Sequence, residues 1–297
     1  PSVPFSWEAF VRWTAMGAMT PFMQLHGRAN LSPWSMPERA DETVEIYRYW
    51  SVLHQALIPF WYSLAEQAYR EGAEPIMRPL KERPEAWAGD WRYRLGEAFL
   101  VAPHFEAGGR RAVELPEGRW YDWWALDADP LIGGERLMVD HSEEPLKMPI
   151  YLPAGAIVPF SIETEAQQAL IDLRALPAHH TILATPPERG VSRFILFEAD
   201  EQPTEIELRA GAGEMFTLTF SRLHEGALVA IPLSASLSVA LLGAAGDGEA
   251  VVARGDWTAL AEREEVALWW EEERSRLWVR LKPSNERLTL RFESRVE

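Results

Sequence analysis

The sequence has no cysteine, few histidines and no long apolar run. Without cysteine the chain can form neither a disulfide nor a thiolate metal site, which fits the reducing cytoplasm, although exported proteins can also lack cysteine. Only His179 and His180 are adjacent, and the usual zinc, calcium, phosphate-loop and dinucleotide motifs do not occur. We therefore expect a cytoplasmic protein with no cofactor and no dedicated metal site.

Membrane-spanning runs and net positive charge are missing too. The sequence has neither a run of about 18 apolar residues nor a basic and apolar leader, so we expect no membrane partner and no signal peptide. Lys and Arg number 29 against 45 Asp and Glu, which gives a formal net charge of −16 at pH 7. Phosphate binding requires clustered Lys and Arg, so we expect no nucleic-acid partner.

The first 80 residues are predicted to form helices and one strand. Residues 7–16 carry apolar side chains at helical spacing and follow Ser6, a suitable N-cap. Pro21 ends this helix, because the residue before a proline is disfavoured in helical space. The apolar residues 22–26 are then predicted to form a strand.

The longest periodic segment covers residues 41–71. Pro59 predicts a kink or two abutting helices within it, and Gly72 is a natural end. Its apolar side chains recur at helical spacing and are predicted to form one stripe: Val44, Tyr47, Trp50, Leu53, Leu57, Trp61, Leu64 and Ala68.

From about residue 81 the pattern changes from helical to strand-like. Short apolar runs separated by Gly and Pro turns predict antiparallel β structure over 81–160 and again over 161–297. The clearest predicted hairpin is the last one, in which two alternating runs flank a turn at 282–285: Leu277, Val279 and Leu281, then Leu288, Leu290 and Phe292.

Three features invite a functional interpretation but also have a structural one. Arg78 lies among apolar residues and needs a partner if buried, for which an ion pair or a backbone carbonyl is favoured over a substrate. The WYDWW motif at 120–124 can serve as a sugar platform, but packing against a neighbouring element is favoured. His26, after an apolar run and before Gly27, suits either a hydrogen-bonded strand-end histidine or a side chain that projects into a cleft.

Several motifs occur in a fixed order between about residues 5 and 160. They are RW at 12–13, GA at 17–18, PFMQLHG at 21–27, PW at 33–34, LIPFWYSLAEQAYREG at 57–72, PIMRPL at 75–80, LGEAFLVAP at 95–103, LPEGRWYDWW at 115–124 and PIYLPAGAIVPF at 149–160. In this order they resemble the C-terminal portion of glycoside hydrolase family 31, the α-glucosidase and α-xylosidase family. With the strand pattern, the resemblance implies a multi-domain α+β fold. The C-terminal end of a (β/α)8 barrel would cover 1–80, followed by antiparallel β-sandwich domains over 81–160 and 161–297.

Members of this family hydrolyse α-glycosidic bonds with retention, using one aspartate as the nucleophile and another as the general acid/base. Both aspartates lie upstream of the motifs matched here. Retaining hydrolysis requires two carboxyl groups about 5–5.5 Å apart, yet Glu8 is the only carboxylate among residues 1–37. A complete barrel needs roughly 250 residues. We therefore expect no catalytic residue in this chain and no activity of the chain alone.

The resemblance implies the C-terminal part of a retaining α-glycosidase, completed by an upstream segment or a second chain that carries both aspartates. Its ligand would be an α-linked oligosaccharide or glycoside. His26 would hydrogen-bond a hydroxyl of the bound sugar, and Phe22 and Trp34 would line the pocket more distantly. Gln24 stands where the family usually has Arg, and it keeps a donor but loses the charge and the forked geometry.

Two other functions remain open: a non-catalytic carbohydrate-binding module, and a structural fragment that folds only in its β domains. An incomplete barrel would expose the apolar stripe over 44–68, and an exposed stripe invites association. We therefore expect aggregation, a homo-oligomer or a partner chain.

Overall fold

The computed structural model describes residues 6–25, 31–72, 74–81, 88–198, 202–213, 215–233, 237–242, 248–250, 252–253 and 267–294. It begins with three helices, α1 (Trp7–Ala18), α2 (Ala40–Ala56) and α3 (Ile58–Glu71), and a 3-10 helix (Pro33–Ser35) precedes α2. A shorter helix, α4 (Glu165–Ile171), follows later in the chain. No described helix is both long enough and apolar enough to span a membrane.

Helix α1 begins and ends as the sequence predicts. The Ser6 Oγ accepts a hydrogen bond from the Ala9 N–H at 3.2 Å, which satisfies one free donor of the first turn. One face of the helix is buried against α2, where the Trp7 Nε1–H donates to the Thr43 hydroxyl oxygen at 2.7 Å. The helix ends at Ala18, shortly before Pro21.

The long periodic segment consists of two abutting helices, which confirms the prediction from Pro59. Helix α2 ends at Ala56, α3 begins at Ile58, and Pro59 lies in the first turn of α3, where its missing N–H breaks no helical bond. Helix α3 ends before Gly72, whose φ of 63° is left-handed and favours glycine.

The apolar stripe of α2 and α3 is covered, so its predicted exposure is wrong. None of its eight residues is exposed, and Trp50 and Leu57 are fully buried. The Trp50 Nε1–H donates to the Leu146 carbonyl at 3.1 Å, and the Phe60 ring stacks on Phe194 with 5.8 Å between centroids. The β regions thus provide the apolar cover, and the stripe gives no reason for association.

The strand predicted over 22–26 is not formed in its described part. Residues 22–25 have no regular secondary structure and belong to no sheet. A strand is stabilised by backbone hydrogen bonds to a neighbouring strand, and no described strand pairs with this segment. Instead, the Thr20 hydroxyl lies 2.8 Å from the Gly17 carbonyl oxygen and 3.0 Å from the Phe22 carbonyl oxygen, which closes the turn after α1.

A first group of strands follows the helices. Six of them form an antiparallel sheet in the order β1-β2-β3-β8-β5-β6, and β4 pairs with β7. The strands are β1 (Met77–Pro79), β2 (Tyr93–Leu95), β3 (Phe99–Val101), β4 (Arg110–Glu114), β5 (Arg119–Asp122), β6 (Leu131–Ile132), β7 (Arg136–Asp140), β8 (Ile150–Pro153) and β9 (Ile157–Phe160).

Two features of this first β region have the structural roles predicted for them. Arg78 of β1 donates from Nη2 to the Gly96 carbonyl at 3.0 Å and pairs with Glu97. In the WYDWW motif, Trp120 and Trp123 are buried. Arg78, Trp120 and Trp123 therefore stabilise the fold.

Together with β9, a second group of eleven strands forms two further six-stranded sheets, in the orders β17-β18-β19-β14-β10-β9 and β11-β12-β13-β20-β15-β16. These strands are β10 (His179–Ala184), β11 (Val191–Leu196), β12 (Thr204–Ala210), β13 (Phe216–Phe220), β14 (Gly226–Pro232), β15 (Leu237–Leu242), β16 (Gly248–Ala250), β17 (Val252–Ala253), β18 (Ala267–Glu271), β19 (Arg276–Leu281) and β20 (Leu288–Ser294). We call this group the distal β region.

The distal β region differs from the expected antiparallel pattern in two pairs of strands. The β10–β14 and β17–β18 pairs are parallel. Parallel strands need a long crossover, and β11 to β13 provide it between β10 and β14 by passing through the other sheet. Strand β9 pairs with β10, so residues 157–160 join a distal sheet. The predicted division of the chain at 80 and 160 stays a prediction.

The last two strands are formed as predicted, but the predicted hairpin between them is wrong. Strand β19 pairs with β14 and β18, whereas β20 pairs with β13 and β15. Every residue of β19 is buried, and the connection over 282–287 carries the chain into the other sheet. Alternation of apolar residues indicates a buried face but does not identify the strand that pairs with it.

One apolar core connects the helices with both β regions. The Phe60 ring of α3 contacts Phe99 of β3 at 5.5 Å between centroids. The Ser63 hydroxyl, also on α3, accepts a hydrogen bond from the Phe197 N–H at 2.9 Å, just after β11. We call the described residues of 6–72 the helical part. One side of it is therefore fixed against the β regions.

Candidate functional site

Four large apolar side chains are exposed among the described residues of 6–36, which include α1 and the segment before α2. Trp13 is 72% exposed, Phe22 74%, Leu25 42% and Trp34 73%. A single exposed apolar residue is ordinary, but several large ones close in sequence indicate a surface for a partner or a ligand. Phe22 and Trp34 are two of the three side chains predicted to bind the sugar.

The segment that carries Phe22 is fixed where it begins. The Tyr93 hydroxyl of β2 donates to the Met19 carbonyl at 2.9 Å. Burial raises the pKa of Tyr93 far above its ordinary value, so this hydroxyl keeps its proton. Met23 is half-buried against the core, whereas its neighbours Phe22 and Gln24 are exposed. The segment is therefore anchored at one point and presents its other side chains to solvent.

Trp34 is displayed by the short 3-10 helix. The Ser35 hydroxyl oxygen accepts a hydrogen bond from the Ser32 N–H at 2.8 Å, which closes this turn. Pro33 is buried, while the Trp34 ring next to it is exposed. The turn therefore holds the indole ring in solvent.

His26 lies outside the described residues, and the sugar-binding role of His26, Phe22 and Trp34 stays a prediction. Phe22 and Trp34 line none of four clefts formed by the described residues, which have volumes between about 430 and 760 Å³. The two rings are thus exposed on an open surface.

The largest of these clefts lies between α1 and the first sheet, and we call it the α1 cleft. Its volume is about 760 Å³ and its walls are mainly apolar. Trp91 and Phe105, on loops beside β2 and β3, form one wall with 6.0 Å between ring centroids. Trp13 and Met16 of α1 form another. Sequence reasoning missed this cleft because isolated aromatic residues in loops give no periodic signal.

An ion pair fixes the polar side of the α1 cleft. Arg92 binds both Asp90 oxygens at 2.8 Å, and the Lys81 ammonium lies 3.3 Å from the same carboxylate. The hydrogen bonds from Arg92 hold the pKa of the Asp90 carboxyl well below its ordinary value. A general acid must hold a proton near neutral pH, so Asp90 is unsuited to that role.

His104 lines the same cleft as a neutral side chain. Burial lowers its pKa to about 3, and the neighbouring His141, Arg12 and Arg111 side chains add to this effect. The His104 Nε2 lies 3.2 Å from the His141 Nδ1, while the His104 Nδ1 has no hydrogen-bond partner among the described residues. The His104 and His141 rings can therefore form one hydrogen bond with each other, but neither ring is charged at pH 7.

Glu8, the one carboxylate among residues 1–37, makes structural contacts. It pairs with Arg12 and accepts a hydrogen bond from the Gly108 N–H at 2.8 Å. These bonds join α1 to the loop before β4. Among the described residues of 6–36, no second carboxylate is present to form the pair that retaining hydrolysis requires.

A second cleft, of about 700 Å³, lies between α2 and α4, and we call it the α2 cleft. Tyr49 and Trp124 supply aromatic surface, and Glu45 and Arg274 supply charged groups. The Trp124 Nε1–H donates to the Met148 carbonyl at 2.7 Å, which fixes the ring. Aromatic surface beside polar groups suits a neutral ligand with many hydroxyl groups.

One group of described side chains has the composition of a metal site. It consists of His180, Glu198 and Glu225, whose potential ligand atoms lie within 4.8 Å of one another. No sequence motif identifies this group, because its members are separated by 18 positions or more.

Two family descriptions match the chain over nearly half of its length. The glycosyl hydrolases family 31 TIM-barrel domain matches residues 4–64, and the glycosyl hydrolase family 31 C-terminal domain matches residues 73–158. These residues belong to glycoside hydrolase family 31. The resemblance predicted from the order of the motifs is therefore confirmed for the end of the barrel and the C-terminal domain.

Named relatives of the family 31 region are glycosidases. The 1,3-α-isomaltosidase of Kribbella flavida is 34% identical over 140 residues, which cover 41% of this chain and 19% of that protein. Human neutral α-glucosidase AB is 38% identical over 127 residues, which cover 39% of this chain and 13% of that protein. The chain thus spans less than a fifth of these curated relatives.

A solved structure resembles this chain in fold over the distal β region as well. The cycloalternan-forming enzyme from Listeria monocytogenes, in complex with a pentasaccharide substrate, matches 99% of this chain and 28% of its own chain. The TM-score is 0.79 and the identity is 22%, a level at which the likeness shows the fold alone. The distal β region therefore shares its fold with that enzyme, although the family descriptions end at residue 158.

Proposed function

We propose that this chain is the C-terminal part of a retaining α-glycosidase of family 31. In this proposal, residues 1–80 close a catalytic (β/α)8 barrel, and two antiparallel β-sandwich domains over 81–160 and 161–297 support it. The observation that carries the proposal is the exposure of Trp13 on α1, Phe22 after it and Trp34 on the 3-10 helix, next to helices that are buried on one side. Such rings are expected at a surface that the rest of a barrel covers.

The reaction would use two aspartates of an upstream segment or a second chain. One aspartate attacks the anomeric carbon, and the other protonates the departing oxygen and then deprotonates the water that releases the sugar. This chain would contribute a wall of the pocket, in which His26 hydrogen-bonds a sugar hydroxyl and Phe22 and Trp34 exclude water. No cofactor takes part in this reaction.

The proposed substrate is a terminal α-linked sugar of an oligosaccharide or glycoside. The names of the two relatives, an isomaltosidase and an α-glucosidase, favour this class. A partner chain or a homo-oligomer remains part of the proposal, now because of the exposed rings and not because of the stripe. The absence of cysteine supports a cytoplasmic location.

The test is reconstitution of activity. The chain is mixed or co-expressed with the barrel segment encoded upstream, and hydrolysis of p-nitrophenyl α-glycosides is measured. We expect saturable hydrolysis by the mixture, and a loss of roughly 10- to 100-fold in kcat/KM for His26→Ala, because a polar contact to the sugar is removed. His224→Ala, at an exposed hydrogen bond in the distal β region, is the matched control and should have no effect.

Two outcomes would contradict the proposal. A mixture that stays inactive although both parts are folded would contradict the assignment to a split or truncated glycosidase. An active mixture in which His26→Ala changes nothing would contradict the role of His26 alone.

A second candidate function, a non-catalytic carbohydrate-binding module, is favoured by the α2 cleft. Calorimetry with maltose and isomaltose separates it from the first, using the wild type, His26→Ala and Trp124→Ala. Saturable binding that Trp124→Ala removes and His26→Ala leaves unchanged, in a chain that never restores activity, would favour the module. Absence of binding to the isolated chain would exclude it.

A further inference from the structure

The distal β region brings together three potential metal ligands from separate segments. His180 belongs to β10, Glu225 immediately precedes β14, and Glu198 lies two residues after β11. The His180 Nε2 lies 2.9 Å from the Glu198 Oε1 and 3.8 Å from the Glu225 Oε2. All three potential ligand atoms lie within 4.8 Å of one another.

These distances suit a tetrahedral zinc ion. Zinc binds a histidine nitrogen at about 2.0–2.1 Å and a carboxylate oxygen at about 2.0–2.2 Å, so two tetrahedral ligand atoms lie roughly 3.4 Å apart. The observed distances of 2.9 and 3.8 Å lie on either side of this value. One imidazole and two carboxylates are ligands that zinc takes, and water would fill the fourth position.

We propose that His180, Glu198 and Glu225 bind one Zn²⁺ ion that joins the two sheets of the distal β region. Strands β10 and β14 are neighbours in one sheet, and β11 belongs to the other. An ion held by all three side chains therefore connects the sheets. A chain without cysteine has no disulfide to make such a link.

The backbone already holds these side chains near their positions. Strand β10 is paired with β9 on one side and with β14 on the other. This pairing holds His180, on β10, close to the start of β14, which Glu225 immediately precedes. Beside Glu198, the Phe197 N–H donates to the buried Ser63 hydroxyl at 2.9 Å. A site whose ligands are already placed loses less conformational entropy when the ion binds.

Charge and exposure also favour a bound cation over an ion pair alone. The Glu198 and Glu225 carboxylates both lie close to His180, and they repel each other at this separation. A divalent cation removes that repulsion. The His180 and Glu198 side chains are sheltered, whereas Glu225 is 54% exposed, so an ion can enter from solvent on that side.

The test uses the full chain at pH 7.5, with bound metal first removed by a chelator, and does not depend on glycosidase activity. After dialysis against micromolar Zn²⁺, elemental analysis should find one zinc per chain. At a zinc concentration about 100-fold above Kd, the Tm should rise by roughly 4 °C. Co²⁺ used in place of zinc should give the visible absorption of a tetrahedral nitrogen and oxygen site.

Variants show where the zinc is bound. His180→Gln and Glu225→Gln should each weaken zinc binding by at least about 10-fold, because each removes a ligand. His224→Gln is the matched control and should bind zinc like the wild type, because its Nε2 contacts the Gln202 carbonyl oxygen. Since Glu225 is half exposed, its variant keeps the test decisive even if His180→Gln fails to fold.

Three results would overturn the proposal: no zinc binding by the wild type, equal binding by Glu225→Gln, or zinc that is lost only when His104 or His141 is replaced. The last result would place the ion at the other histidine pair of the described residues.

Discussion

The two sides of the helical part carry the same kinds of side chain in opposite environments. Trp50 and Phe60 are buried against the β regions, whereas Trp13, Phe22 and Trp34 are exposed. Large aromatic side chains bury much apolar area when they pack, so exposed ones forgo that stabilisation. We infer that the exposed rings mark surface that the described residues leave uncovered.

The largest effect on stability should come from removing an aromatic side chain that is buried against the β regions. Trp50 is fully buried, with Tyr49 and Trp124 in edge-on contact at 5.2 and 5.9 Å between centroids. Trp50→Ala should reduce the free energy of unfolding by about 3–5 kcal/mol, because it removes apolar area and leaves a cavity. Urea denaturation monitored by circular dichroism measures this change.

Trp34→Ala is the matched control on the exposed side. It should change the free energy of unfolding by no more than about 0.5 kcal/mol, because the ring packs little in this chain. Equal costs for Trp50→Ala and Trp34→Ala would show that the two sides do not differ as described.

An intermediate effect is expected from pH at the α1 cleft, on the exposed side. The pKa of His104 is about 3 in the folded protein, against an ordinary value of 6.5. Between these values the unfolded state binds more protons, so the contribution of neutral His104 to stability is complete above pH 6.5 and is lost as pH falls toward 3. The Tm of the wild type should therefore fall on acidification more steeply than that of His104→Gln.

Thermal unfolding at several pH values between 3 and 7 checks this expectation. The control is His224→Gln in the distal β region, away from the α1 cleft, and its profile should follow the wild type. Parallel profiles for the wild type and His104→Gln would mean that His104 is not buried in solution.

The smallest effects should come from two glycines that the helices use differently. Gly17 lies inside α1, and a methyl group added there meets no atom within 4 Å. Gly17→Ala should therefore raise the free energy of unfolding by about 0.5–1 kcal/mol, because alanine favours helix. Gly72 ends α3 with a φ of 63°, which is left-handed and disfavours alanine. Gly72→Ala should therefore lower the free energy of unfolding by about 1 kcal/mol.

Urea denaturation of both glycine variants measures these changes. A stabilising Gly72→Ala would contradict the left-handed end of α3. A destabilising Gly17→Ala would show that α1 is less regular than described.

The sequence predicts the local limits of the helices well. Ser6, Pro59 and Gly72 act through their own backbone and their nearest neighbours, so their effects are visible in the sequence itself. The same holds for Arg78, which needed a partner and has the Gly96 carbonyl and Glu97. The order of the family motifs identified family 31 sequence within residues 4–158, which neither the composition nor the spacing of apolar residues could have done.

The sequence does not predict contacts that depend on distant parts of the chain. The stripe over 44–68 was expected to be exposed because nothing local shows that the β regions cover it. The hairpin at 282–285 was expected because alternation does not distinguish between a strand in the same sheet and one in the facing sheet. The strand over 22–26 was expected from its composition, but a strand also needs a neighbour.

The candidate sites show the same contrast between what local sequence predicts and what depends on distant parts of the chain. Phe22, His26 and Trp34 were identified through the family motifs, and the structure finds two of them exposed while His26 lies outside the described residues. The α1 cleft, the α2 cleft and the His180 group were missed, because each assembles residues that are far apart in sequence.

The most direct test of the account is the rate at which the purified chain hydrolyses p-nitrophenyl α-D-glucopyranoside without any other polypeptide. We expect no hydrolysis above the uncatalysed rate, because the proposed function assigns the two reacting carboxylates to another segment. Saturable hydrolysis by the isolated chain would contradict it, since this chain would then contain both carboxylates itself.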